Sequence, residues 1–115
     1  MFQVYFSEKA ERRIYSYIDN YRAAYLNLYD DTWLWDAELI IKNGYIQNAD
    51  ILEESLYDVI TKRLEYDIIL GYSLDPVHKT YHTTTSLWSR RVYITYTENQ
   101  DTEERVVKDI EIWRK

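Results

Sequence analysis

The chain has 115 residues, with 20 Asp and Glu against 14 Lys and Arg, a net charge of −6, two His and no Cys. That length is one domain spanning residues 1–115, enough to bury roughly two-thirds of its unfolded surface with no metal or disulfide. The missing thiols exclude a disulfide framework, Cys-ligated zinc and a thiol nucleophile, and a pI near 4.9 speaks against bulk nonspecific nucleic-acid binding.

Phe2-Gln3-Val4-Tyr5-Phe6 alternates, which predicts a short strand with Phe2, Val4 and Phe6 on one face. Ser7 then fits a helix N-cap with Glu8 in the first turn. Ala10, Ile14, Tyr17, Ile18, Tyr21, Tyr25 and Leu28 recur at helical spacing and predict a helix over 8–28. Asp30-Asp31-Thr32 signals a second cap, followed by an apolar stripe of Trp33, Ala37, Ile40 and Ile41 that ends at a cap on Asn43-Gly44. A third helix carries Ala49, Leu52, Leu56, Val59, Ile60 and Leu64. The stretch Tyr66–Tyr72 fits a helical continuation through Ile68 or a strand equally well.

Pro76 closes the helical region. Thr80–Trp88, rich in Thr and aromatics, predicts a strand. Arg91–Thr97 predicts another, with Val92, Ile94 and Tyr96 facing one way and Arg91, Tyr93 and Thr95 the other. A polar turn over Glu98–Glu103 leads to a last strand, Arg105–Trp113, with Val106, Ile110 and Ile112 inward and Asp109, Glu111 and Trp113 outward. The expected fold is α+β: a short N-terminal strand and two to three helices packed on one face of a three- to four-stranded antiparallel sheet.

Charge is uneven. Residues 30–67 hold ten acids against three basic residues, whereas residues 76–97 hold no acid at all. The acid-free window contains His78, Lys79, His82, Arg90 and Arg91. If Val92 and Ile94 face the helices, Arg91 and Tyr93 lie on the open face. Tyr81 and Thr83, or His82 and Thr84, join them from the neighbouring strand, and Trp113, Arg114 and Lys115 end the strand beside it. Cations neutralise phosphate and aromatic rings stack on bases, so this face suits single-stranded RNA. A histidine there is a general acid or base near neutral pH, and an arginine stabilises charge developing on phosphorus. Competing assignments make the Arg90-Arg91 pair a partner of Glu98 or Glu111, Trp113 a core cap, and the acidic middle a solvated helix face. Gly44 and Gly71 are the only glycines, so Gly-rich phosphate loops are excluded and no cofactor is expected. No apolar stretch reaches the ~18 residues of a membrane helix and no signal peptide is visible, so the expectation is a cytoplasmic protein without a membrane partner.

The order of these segments resembles the RelE/ParE superfamily of toxin–antitoxin toxins. The resemblance rests on Val4-Tyr5-Phe6-Ser7-Glu8-Lys9-Ala10-Glu11, on Ile14-Tyr15-Ser16-Tyr17-Ile18, on Arg90-Arg91-Val92-Tyr93 with Tyr96, and on Asp109-Ile110-Glu111-Ile112-Trp113-Arg114-Lys115. It implies one of two activities, messenger-RNA cleavage on the ribosome or poisoning of DNA gyrase, each neutralised by a cognate antitoxin protein, in a monomer or homodimer. For an endoribonuclease it implies Arg90 or Arg91 on the phosphate, Tyr93 or His82 in orientation or proton transfer, and Arg114 as a second phosphate contact. Lys79, Tyr81, Trp113 and Lys115 would complete the binding surface. The chain departs from the family in its acidity, in lacking a helix after the last strand and in its long middle region. The alternative is a non-enzymatic interaction protein whose acidic 30–67 region mimics nucleic acid or docks a basic partner.

Overall fold

Ser7 ends the first strand and begins the first helix. Its amide donates to Val107 O (2.9 Å), its hydroxyl donates to Lys108 O (3.1 Å), and the same oxygen accepts the Ala10 amide (3.1 Å), which is the predicted N-cap. The computed structural model describes residues 1–29 and 35–114, with side chains for 1–24 and 48–114. The elements are β1 (Gln3–Phe6), α1 (Glu8–Tyr29), α2 (Trp35–Leu64), β2 (Tyr72–Asp75), β3 (Thr80–Leu87), β4 (Arg90–Asn99) and β5 (Glu104–Arg114). The predicted cap at 30–32, Trp33 and Lys115 lie outside the described residues, and of the predicted stripe Ala37, Ile40 and Ile41 only the backbone, within α2, is described. Among the described residues no helix is long and apolar enough to cross a membrane.

The fold is α+β, with two helices among the described residues, the lower of the two to three expected. The predicted break at Asn43-Gly44 does not occur, and α2 runs through it from Trp35 to Leu64. One glycine inside a helix costs only about 1 kcal/mol, which a helix of 30 residues tolerates. Helix α2 ends at Leu64, so Tyr66–Tyr72 is neither helix nor continuous strand: it is a bent segment that reaches β2 through Gly71 in the left-handed region (φ 74°).

Among the described residues the sheet has five strands, in the order β1-β5-β4-β3-β2, rather than the three to four expected. It is mixed rather than antiparallel, because β1 pairs parallel with β5 while the other neighbours are antiparallel. Strand β2 was not foreseen. It is four residues long and leaves no periodic signature.

Both helices lie on one face. Ala10, Ile14 and Ile18 of α1, with Leu52, Leu56, Ile60 and Leu64 of α2, recur every four residues and are fully or almost fully buried. They meet Val92, Ile94 and Tyr96 of β4 and Val107 and Ile110 of β5. Each large aliphatic side chain buried this way contributes roughly 1.5–3 kcal/mol. Burial also pushes the Tyr96 hydroxyl pKa up to about 12.

The alternation of β4 is as predicted. That of β5 is not. The register slips between Thr95 and Tyr96, which pair with Asp109 and Val107, so Lys108 is an extra residue. Beyond the bulge every side chain changes face. Val107 is buried in place of the predicted Val106, and Arg105 turns inward at 2% exposure.

That buried arginine joins the layers. Its Nε and Nη2 donate to Glu98 Oε1 (2.7 and 2.6 Å), Nη1 donates to Leu64 O (2.6 Å) and to Tyr66 O, and Nη2 donates to Asp67 O (3.2 Å). The guanidinium therefore satisfies carbonyls left open at the C-terminus of α2 while stacking over Phe2 at 3.7 Å.

Candidate nucleic-acid interface

With both helices on one side, the other side of the sheet is uncovered among the described residues. Strand alternation sends Arg91, Tyr93 and Thr95 to it from β4. The cross-strand pairs Thr95–His82, Tyr93–Thr84 and Arg91–Ser86 bring β3 residues beside them. The pairs Tyr93–Glu111 and Arg91–Trp113 do the same from β5. The register thus selects His82 and Thr84 for the open face, while Thr83 is buried on the helix side at 4% exposure. Four predicted site residues share the open face: His82, Arg91, Tyr93 and Trp113. Each is exposed, Tyr93 at 42% and Trp113 at 58%.

The local geometry is polar and shallow. His82 Nδ1 lies 3.1 Å from Thr95 Oγ1. Ser73, His82, Thr84, Tyr93 and Thr95 line a depression of about 370 Å³. The Trp113 indole donates to Glu111 Oε2 at 3.3 Å, which holds the ring over β5. The Arg91 side chain makes no hydrogen bond or ion pair among the described residues. The predicted partnership of the Arg90-Arg91 pair with Glu98 or Glu111 is not formed: Glu98 is taken by Arg105 and Glu111 by Trp113. An unpaired guanidinium flanked across the ladder by an indole is chemically suited to an anion carrying a planar base.

Other predicted site residues lie elsewhere. Arg90, one residue out of phase with Arg91, faces the helices. Its Nε donates to the Tyr17 hydroxyl at 2.6 Å, and its guanidinium lies over the Tyr17 and Tyr21 rings at 5.8 and 6.0 Å. Arg114 pairs in register with Arg90, so it shares that side, and it is exposed there. Tyr81 is also on the helix side, stacked on Tyr96 with centroids 5.4 Å apart and planes at 18°. Lys79 sits in the β2–β3 turn, at the opposite end of the sheet from Arg91, in the left-handed region (φ 54°). In that turn His78 Nδ1 lies 2.8 Å from Asp75 Oδ2, and this hydrogen bond holds the Asp75 carboxyl below its ordinary value.

One residue at the interface was missed. Trp88, placed by sequence at the end of a strand, forms with Ser89 the two-residue turn joining β3 to β4. It has φ 53° and is 61% exposed. Such turns favour Gly or Asn, so a tryptophan there is a strained, solvent-facing aromatic beside Arg90 and Arg91. A tryptophan between two alternating segments is the signal that would have found it.

No group of three or more Asp, Glu or His among the described residues is placed to hold a metal ion. No protein-family model, no curated protein and no solved structure matches the chain.

Proposed function

We propose that the open sheet face engages single-stranded RNA and that the protein is a toxin of the RelE/ParE kind, acting on ribosome-bound mRNA and neutralised by a cognate antitoxin. The observation that carries this reading is Arg91: an exposed guanidinium without a partner among the described residues, between Tyr93 and Trp113, in the one long acid-free stretch of an acidic chain. Arg91 holds the phosphate, and Tyr93 and Trp113 offer rings to adjacent bases. In cleavage the ribose 2′-hydroxyl attacks the adjacent phosphorus as the P–O5′ bond breaks, leaving a 2′,3′-cyclic phosphate and a free 5′-hydroxyl. His82 takes the 2′-hydroxyl proton, Tyr93 or water protonates the departing 5′-oxygen, and Arg91 stabilises the charge gathering on the phosphoryl oxygens. Arg114 contacts the backbone beyond the end of the sheet, and Arg90 acts by fixing the start of β4.

A second reading is a non-enzymatic docking module. It is favoured by the groove in which Glu8, Glu11 and Glu53 surround Tyr57, where burial and the charges of Glu11 and Glu53 raise the Tyr57 pKa. Induced expression in bacteria separates the two. The toxin reading expects growth arrest by the wild type and normal growth with Arg91→Ala at equal protein level. Loss of cellular mRNA marks the nuclease, and gyrase-linked DNA breaks mark a gyrase poison. Normal growth under full induction of the wild type contradicts the toxin reading.

A further inference from the structure

Strand β2 is last in the sheet order, so one of its backbone edges has no neighbour among the described residues. Along this edge and the segment leading into it, Ile68, Leu70, Tyr72, Leu74 and Val77 are 78, 77, 57, 51 and 83% exposed, while Ile69 turns inward at 6%. Soluble proteins blunt such edges with lysine, an internal proline or a bulge. Here there is no cation between Arg63 and His78, and the only proline, Pro76, follows the strand.

We propose that this edge pairs with the same edge of a second copy of the chain, antiparallel about a two-fold axis at Tyr72, to make one continuous ten-stranded sheet. The pairing is self-complementary, since the axis brings Leu70, in the bent segment leading into β2, toward the partner's Leu74 and Leu74 toward the partner's Leu70, while the Leu70 carbonyl stays with Arg63. With Tyr66, itself 61% exposed, six apolar side chains offer on the order of 700 Å² per copy, near the ~800 Å² per partner of a standard interface. Charge does not oppose it. Asp75 is already engaged by the Val77 amide (3.0 Å) and the His78 ring, and this register keeps it away from its own counterpart. The far edge of the sheet is built from β1 and β5. Pairing β2 with that edge is head-to-tail and leads to filaments, whereas the two-fold arrangement closes. A two-fold of this kind runs perpendicular to the sheet, so both open faces lie on one side, with Ser73 beside the seam.

Light scattering on the purified chain tests this. Wild type at tens of micromolar is expected at twice its 14.1 kDa mass. Leu70→Lys/Leu74→Lys is expected at the single mass with an unchanged circular dichroism spectrum, and Tyr15→Lys, on an exposed α1 position, should stay dimeric. The chain has no cysteine, so Tyr72→Cys under oxidation should form a covalent dimer that Ser86→Cys does not. A monomeric wild type, a lysine variant that remains dimeric, or no cross-link with Tyr72→Cys would each overturn the proposal.

Discussion

Arg105 and Glu98 oppose each other across the β4–β5 ladder, and two nitrogens of the guanidinium share a single carboxylate oxygen at 2.7 and 2.6 Å. The pair sits at the point where the Lys108 bulge has changed the face of β5. A position that reads as outward from strict alternation therefore becomes a buried cation holding the end of α2.

Truncating this clamp should be the most destabilising single change outside the apolar core. Arg105→Ala leaves the 12%-exposed Glu98 carboxylate and three helix-end carbonyls without their donor, and should cost about 3–5 kcal/mol in urea unfolding. Glu98→Gln keeps an acceptor and should cost less.

The Arg90–Tyr17 hydrogen bond is predicted to be structural. Tyr17→Phe should lower stability by about 1–2 kcal/mol, since the acceptor of a charged donor is lost, and should leave RNA affinity within about twofold. A tenfold loss of RNA binding in Tyr17→Phe would return Arg90 to the interface.

Much of this was legible from sequence, and what failed did so for identifiable reasons. The Ser7 cap, the four-residue spacing of Ile14 and Ile18, and the split of β4 into Val92, Ile94, Tyr96 and Arg91, Tyr93, Thr95 depend on local periodicity, which a sequence displays directly. Treating Arg90 and Arg91 as one cationic pair was avoidable, because neighbours on a strand point to opposite faces. The bulge at Lys108 has no local signature, and it alone exchanged Val106 for Val107 and turned Arg105 inward. Strand β2 is too short to show a period, and the Asn43-Gly44 pair looked like a stop although one interior glycine costs a helix only about 1 kcal/mol.

Acid stability should depend on Asp109. Its burial pushes the carboxyl up, but the Ile110 amide, Lys9 and Arg13 outweigh that and hold it below its ordinary value. A lowered carboxyl stabilises the fold above the unfolded value, about pH 4, and that contribution is lost as pH falls through the folded value. Asp109→Asn should therefore be less stable than wild type at neutral pH, and the gap should narrow below about pH 4 in thermal melts.

Trp88 should trade stability for binding. Trp88→Gly relieves a left-handed non-glycine residue, worth about 1–3 kcal/mol, against ~0.5–1 kcal/mol of glycine entropy. The variant should melt a few degrees higher yet bind single-stranded RNA more weakly. Unchanged RNA affinity would remove Trp88 from the interface.

The most direct test of the open face is fluorescence anisotropy of a labelled single-stranded RNA against wild type and Arg91→Ala across a salt series. Arg91→Ala should weaken binding at least tenfold and flatten the log–log salt slope by about 0.7, the signature of one lost phosphate contact on a single strand. Wild-type binding that is absent, or is unchanged in both affinity and slope by Arg91→Ala, would contradict an RNA-engaging role for this face.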